Sequence, residues 1–184
     1  MKHGKKWDLI VVGGGHAGIE AALIATQLKQ SVLLVTMDPK AIGRMSCNPS
    51  IGGLAKGQMV REIDVLGGSM GHFADLSGIQ FKVLNRSKGR SVWSPRAQVD
   101  KRQYEHLVLG SIKKSNVEVL GGEIISIKTQ RYKVSGLTLR TGETLNCRAA
   151  IITCGTFLSG TIHIGERKIL AGRMGEERSE GLTE

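Results

Sequence analysis

The sequence predicts an α/β fold, a Rossmann-type βαβ unit extended by a β-meander, and three observations carry that reading. A short apolar run from Asp8 to Val12 leads into Gly13-x-Gly15-x-x-Gly18, and Ile19 to Leu28 then carries apolar residues at helical spacing. A second apolar run, Ser31 to Val35, follows the helix and closes a βαβ unit over residues 7–36. Further on, four strand-like runs are separated by Gly, Gln-Arg and Thr-Gly turn signals, the pattern of a meander.

The elements follow in order. After the βαβ unit, Met45 to Gly53 reads MSCNPSIGG, a loop punctuated by Asn-Pro and Gly-Gly. Met59, Val60, Ile63 and Leu66 then share one face of a short helix that ends at Gly67-Gly68, so the segment 43–68 reads as loop and helix. Ile79, Phe81 and Val83 alternate with Gln80 and Lys82, which predicts a strand with one covered face. Gln98 to Lys114 is expected to be helical through Val99, Arg102, Tyr104, Leu107, Val108 and Ile112. The meander and a return strand occupy 117–156, as Val117 to Leu120, Glu123 to Thr129, Val134 to Arg140 and Glu143 to Thr153, with Ala149 to Thr153 reading as buried. The charged, glycine-rich stretch from Gly165 to Glu184 has no period and reads as loop.

Composition narrows the function classes. At 184 residues the chain can bury a core and fits one domain over 1–184, while 25 glycines is nearly twice the usual share and implies tight backbone approaches. The opening MKHGKKWDLIVV has too short an apolar run for a signal peptide, and no run approaches a membrane span, so a cytoplasmic protein is expected. Three cysteines without CxxC, and no histidine pair at ligand spacing, speak against a disulfide framework and a metal site. The net charge of +10 is compatible with nucleic acid and equally with a solubility device.

The glycine fingerprint is the strongest chemical signal. Gly13 allows the tight turn, Gly15 lets backbone approach a pyrophosphate, and Gly18 permits close packing of helix on strand. The helix-start N–H groups and dipole then hold the anion. His16, between the glycines, reads as shaping the loop rather than as an acid or base. A ribose-binding acid is expected near the end of the second strand, where Thr36 stands at the strand end and Asp38 at the expected distance, before Pro39. The meander followed by AAIITCGT resembles the FAD-binding domain of the glutathione reductase type more than a pure NAD domain, with Thr-Cys-Gly where that type has an Ala-Thr-Gly-like turn.

Two further segments carry candidate chemistry. Flavin disulfide reductases place a CxxxxC pair about as far beyond the fingerprint as Cys47, but here the fifth position onward is Gly52, so no dithiol relay is available. Cys47 is left as a nucleophile, an acid or base, or half of a pair completed elsewhere; the Gly52-Gly53 amides and Lys56 could stabilise its thiolate, and the plain alternative is an inert small hydrophobe. Cys147 and Cys154 read as buried in strands. From Lys82 to Arg102 seven basic residues gather with one acid, Asp100, and one aromatic, Trp93. They could neutralise phosphates while Trp93 stacks on a base, serve the flavin or an anionic cosubstrate through Lys88 and Arg96, or form a solvated charged face.

GGGHAGIEAA, MSCNPSIGGLAKG, GIQFKVLNRSKGRSVWSPRAQVDK and GTFLSGTIHIGE together resemble the amino-terminal part of the MnmG (GidA) family, FAD-dependent enzymes that modify the wobble uridine of certain tRNAs. The likeness runs over nearly the whole chain. It implies a glutathione-reductase-type FAD-binding Rossmann domain, incomplete at its carboxy-terminal side. FAD would be bound by Gly13, Gly14, Gly15, His16, Ala17 and Gly18, with the backbone at Ile124 on the adenine side and Ser179 as a further contact. Cys47 matches the family's first functional cysteine, which could add as thiolate to carbon 6 of uracil and give an enolate able to attack a one-carbon electrophile.

The resemblance also implies NADH and methylenetetrahydrofolate as cosubstrates, glycine or ammonium as the nitrogen source, the GTPase MnmE as partner and a homodimer when full length. The product would be an aminomethyl or carboxymethylaminomethyl group on carbon 5 of the wobble uridine. Family members are several times longer, and the missing NADH-binding insertion, second functional cysteine and helical carboxy-terminal region imply that these 184 residues are inactive alone. The competing expectations are a stand-alone flavin or NAD oxidoreductase with a single thiol, and a non-catalytic nucleotide- or RNA-binding module.

Overall fold

The structure, a computed structural model, describes residues 4–45 and 48–182. In chain order the elements are β1 (Lys6–Val12), α1 (His16–Gln27), β2 (Val32–Thr36), β3 (Ser50–Gly52), α2 (Gly57–Val65), α3 (Met70–Leu76), β4 (Gly78–Leu84) and β5 (Ser94–Val99). There follow α4 (Lys101–Lys114), β6 (Val117–Gly121), β7 (Ile124–Gln130), β8 (Lys133–Leu139), β9 (Thr144–Ile152), β10 (Ile162–Ile164) and β11 (Arg167–Ile169). They form two compact units, one of residues 1–40 with 116–184 and one of residues 41–115.

The first unit is an α/β layer around a six-stranded sheet of order β6-β2-β1-β9-β8-β7. Parallel strands covered on both faces read as continuous apolar runs, and β1 and β2 obey this, with Ile10, Val11 and Val32 to Val35 all buried. They run parallel in the register Leu9↔Val32 to Val12↔Val35, joined by α1, whose Ile19, Ala22 and Leu23 are buried. Trp7, Ile10, Val12, Leu33, Val35, Ile124, Leu137, Leu139, Leu145 and Cys147 make one core cluster.

Two strand expectations change here. Val117 to Gly121 does not belong to the meander: β6 pairs in parallel with β2, so the Rossmann sheet gains a fourth parallel strand and the meander is β7-β8-β9. Ala149 to Thr153 is not buried as expected. β8 leaves β9 after Asn146, whereas β9 continues alone beside β1, so Ile151 and Ile152 stay exposed on its open side. The tail also holds a small hairpin that the sequence reading took as loop. β10 and β11 pair antiparallel around Gly165, whose φ of +58° suits a tight hairpin turn.

The second unit packs α2, α3 and α4 with a three-stranded antiparallel sheet of order β3-β5-β4. Part of the MSCNPSIGG loop is therefore strand, pairing as Ser50↔Gln98, Ile51↔Ala97 and Gly52↔Arg96. Helix α4 begins at Lys101 rather than Gln98, because Ser94 to Val99 extend as β5 and the Asp100 carboxylate accepts from the Gln103 N–H at 2.8 Å, an N-cap. Its Tyr104, Val108 and Ile112 lie on one buried stripe, and Tyr104 meets Phe73 of α3 edge-to-face at 6.1 Å. The expected strand over Ile79 to Leu84 is present, but its apolar face is open, with Ile79 68% and Phe81 60% exposed. It is an edge strand, and the buried residues of this sheet are Ile51 on β3 and Ser94, Ala97 and Val99 on β5.

Candidate functional site

The glycine loop sits in the first unit between β1 and α1. Gly13 leaves β1 at φ +111°, donating its N–H to Val35 O at 2.8 Å, so it is tied to the end of β2. A Cβ there would stand 2.5 Å from Thr153 O, and one on Gly18 would stand 1.9 Å from Gly13 O. Both glycines are thus required by the chain's own packing. Gly15 differs: as N-cap of α1 it has φ −75° and ψ 179°, extended backbone open to any residue, and a Cβ on it would meet nothing within 4 Å.

The helix start has the electrostatics of an anion site. First-turn N–H groups have no acceptor within their own helix, the N-cap Gly15 supplies no side-chain cap, and no acid lies in the first turn to offset the positive dipole end. Gly14 and Gly18 are buried, while Gly15 and Ala17 are exposed. His16 is half-buried, and its pKa is lowered first by burial and then by the nearby charge of Arg173, so the ring is neutral at neutral pH.

Thr153 and Arg173 are site residues that the sequence reading missed. The Thr153 hydroxyl donates within reach of both Val12 O at 2.8 Å and Gly13 O at 3.2 Å, and its N–H donates to Val12 O at 2.8 Å. It clasps the loop from just past the end of β9, which only the Val12↔Ile152 pairing reveals. Arg173 lies in the tail with its guanidinium 5.2 Å from the centroid of the Phe157 ring.

At the end of β2, Thr36 O accepts from Gly122 N at 2.9 Å, and Asp38 Oδ1 accepts from Lys40 N at 2.8 Å, turning the chain past Pro39. Ile124 is buried at the start of β7. Ser179 is buried too, donating its N–H to Phe157 O at 2.8 Å and accepting at its carbonyl from Ser159 N at 2.8 Å. The Arg140 guanidinium foremost, then the Glu180 N–H and the Ser179 hydroxyl, hold the Glu123 carboxyl below its ordinary range against the opposing effect of burial. Ser179 therefore fastens the tail to the meander.

Cys47 lies outside the described residues. Around it, Met45 N donates to Glu105 Oε1 at 3.0 Å and Ser50 N to Asn48 O at 2.8 Å. Gly53 N donates to Pro95 O at 2.8 Å, so that amide is committed to β5 rather than open to a thiolate. Cys147 is buried in β9 as expected, but Cys154 is only half-buried and lies just past the strand, because β9 ends at Ile152. Burial pushes both thiols up, Cys147 slightly offset by Lys6, so neither is a thiolate at neutral pH. Among the described residues no group of His, Cys, Asp and Glu could hold a metal ion, and no helix is long and apolar enough to cross a membrane.

Comparison with known proteins adds four findings. The family model described as glucose inhibited division protein A matches residues 8–184. A curated relative from Chlorobaculum tepidum, tRNA uridine 5-carboxymethylaminomethyl modification enzyme MnmG, is 49% identical over 180 residues, 97% of this chain and 29% of its own length. The crystal structure of Aquifex aeolicus GidA superposes with a TM-score of 0.91 at 46% identity, covering 97% of this chain and 30% of that one. The fold alone extends further, to a probable FAD-dependent monooxygenase of Pseudomonas aeruginosa at 16% identity and a TM-score of 0.56, covering 79% of this chain and 42% of that one.

Proposed function

Because the chain belongs to the glucose inhibited division protein A family, we propose that it is the amino-terminal, FAD-binding portion of an enzyme that modifies tRNA uridine. The chain spans 29% of the length of the curated relative from Chlorobaculum tepidum, so the activity is that of a longer protein. Both compact units belong to this portion, and the 184 residues bind FAD weakly and are inactive alone, since an incomplete pocket buries less of its ligand.

The observation that carries the cofactor reading is Gly15. Neither backbone nor packing asks for glycine there, so the missing Cβ is explained by something that approaches the backbone from outside. A pyrophosphate at the start of α1 fits, as it would receive first-turn N–H groups and the helix dipole. Gly13, Gly14, Gly15, His16, Ala17 and Gly18 would hold it, with the Ile124 backbone toward the adenine and Ser179 contributing from the tail. Neutral His16 lines the loop without adding charge, and Arg173 adds a cation beside it. FAD supplies the redox chemistry when bound.

Cys47 is the candidate catalytic residue. Its thiolate would add to carbon 6 of the uracil, the resulting enolate would bond through carbon 5 to a one-carbon electrophile, and loss of the carbon 5 proton with expulsion of the thiolate from carbon 6 would restore the ring. The substrate is the wobble uridine of tRNA, reached with MnmE as partner, NADH and methylenetetrahydrofolate as cosubstrates, in a cytoplasmic homodimer. The basic stretch from Lys82 to Arg102 would face the tRNA.

The test is Gly15→Val, read by fluorescence titration of FAD with thermal melts alongside. The extended φ and ψ accept valine and the space is open, so the melting temperature should hold while flavin affinity falls at least tenfold, since a branched side chain then occupies the pyrophosphate position. Undiminished affinity in the folded variant would sink the assignment.

A further inference from the structure

Residues 85–93 of the second unit are a built loop rather than a loose charged run. Asn85 turns at φ +59° and Gly89 at φ +100° with ψ 156°, a region that only glycine populates readily, setting two short 3-10 turns back to back. Lys88 N donates to Asn85 O at 2.9 Å and Trp93 N to Arg90 O at 3.2 Å. The indole Nε1 of Trp93 donates to Arg86 O at 3.2 Å, and Gln58 of α2 donates to Trp93 O at 3.2 Å. Both guanidinium carbons lie over the indole, Arg86 at 5.9 Å and Arg90 at 5.8 Å from its centroid.

Among the described residues the charges here have no carboxylate partner. The stretch from Lys82 to Arg96 holds five cations and no acid, and among the described residues none of Arg86, Lys88, Arg90 and Arg96 forms an ion pair. A guanidinium resting on an aromatic face is held in place by the ring quadrupole, yet its planar fork of N–H donors stays open at the rim. Such a fork matches phosphate oxygens. The Trp93 ring carries two guanidiniums and its N–H is spent inside the loop, so the side chain serves to hold the two arginines.

We infer that Arg86 and Arg90, held over Trp93, form a phosphate clamp that grips the RNA backbone without reading its sequence. This rests on the tRNA substrate proposed above and assigns part of its binding to named side chains. Trp93 is a positioning residue, and exposed Lys88 adds charge between the two arginines.

The experiment measures binding of a fluorescent tRNA transcript and of labelled oligouridylate to this chain across a salt series, with thermal melts of every variant. Each phosphate contact contributes roughly 0.7 to 0.9 to the log–log salt slope, so Arg86→Ala with Arg90→Ala should flatten the slope by about 1.5 units and weaken binding about tenfold. Lys113→Ala with Lys114→Ala, equal in charge and at the end of α4, should change the slope by less than about half a unit. Trp93→Ala keeps every cation and should keep the slope, yet weaken binding about threefold, with Trp93→Phe restoring it. Equal effects of the two charge pairs, or a folded Trp93→Ala that binds like the parent, would overturn the clamp, as would failure of the parent to bind either RNA. If tRNA binds with a slope indifferent to Arg86 and Arg90, the clamp falls and the tRNA reading stands. If oligouridylate and tRNA bind alike with a slope that depends on the pair, the clamp stands and the tRNA substrate loses its support.

Discussion

Three glycines of one motif carry two different physical burdens. Gly13 and Gly18 close the chain on itself: Gly18→Ala would put a methyl 1.9 Å from the backbone oxygen of Gly13 and 2.8 Å from the Thr153 hydroxyl, which leaves little room to yield. Overpacking of this kind costs about 3 kcal/mol, and we expect Gly18→Ala to melt roughly 10 °C lower for a chain of this size. Differential scanning calorimetry checks it, and an unchanged melt would mean that α1 slides freely on β1. His16 makes a pH prediction. Its pKa is lowered in the folded chain by burial and by Arg173, so the unfolded chain takes up a proton near its ordinary value of 6.5 while the folded chain does not. Its contribution is intact above that pH and is lost as pH falls toward the folded value, with a slope of at most about 1.4 kcal/mol per pH unit for one proton. Melts at pH 7.5, 6.5 and 5.5 should therefore fall more steeply for the parent than for His16→Gln; parallel curves would place the ring in solvent.

Helix α2 shows how local chemistry can be read correctly while its surroundings cannot. Gly67-Gly68 does end it, as a Schellman motif in which Gly67 N donates to Asp64 O and Gly68 N to Ile63 O, both at 2.9 Å, with Gly67 at φ +89°. Gly67→Ala should lower stability by about 1 kcal/mol and Gly67→Asn by less, because asparagine tolerates the left-handed conformation. Urea denaturation should show both midpoints shifted with the slope unchanged. The face expected to be apolar on the same helix is largely open, with Met59 and Leu66 exposed, as are Ile79 and Phe81 on β4. Periodicity reports which residues share a face; it does not report whether that face is covered. The boundary of α4 failed for a related reason. Val99 fits a helical period as well as a strand, and pairing with β4 and the Asp100 cap decided for strand.

The catalytic role proposed for Cys47 is tested in a chain restored to the length of the relatives. Cys47→Ser keeps size but replaces a thiol that ionises near pKa ~8.5 with a hydroxyl that hardly ionises at neutral pH. Flavin binding, flavin reduction by NADH and tRNA affinity should survive, while modified uridine falls by orders of magnitude, because the loss is confined to the chemical step. Mass spectrometry of tRNA nucleosides with flavin absorbance alongside separates the outcomes, and near-normal modification would make Cys47 structural. Local chemistry was legible without a structure: the strand–glycine–helix order of the βαβ unit, the helix start opened by the glycine loop, the turn residues, the four family motifs. Those are properties of neighbouring residues and of backbone freedom, which spacing encodes directly. Tertiary structure alone decided that β6 pairs with β2, that Thr153 clasps Gly13 from 140 residues away, that Gly15 is the one fingerprint glycine its own fold does not need, and that Trp93 carries two arginines. Each depends on which distant segments pack together, and that is set by the summed burial and hydrogen bonding of the whole sheet rather than by any local pattern.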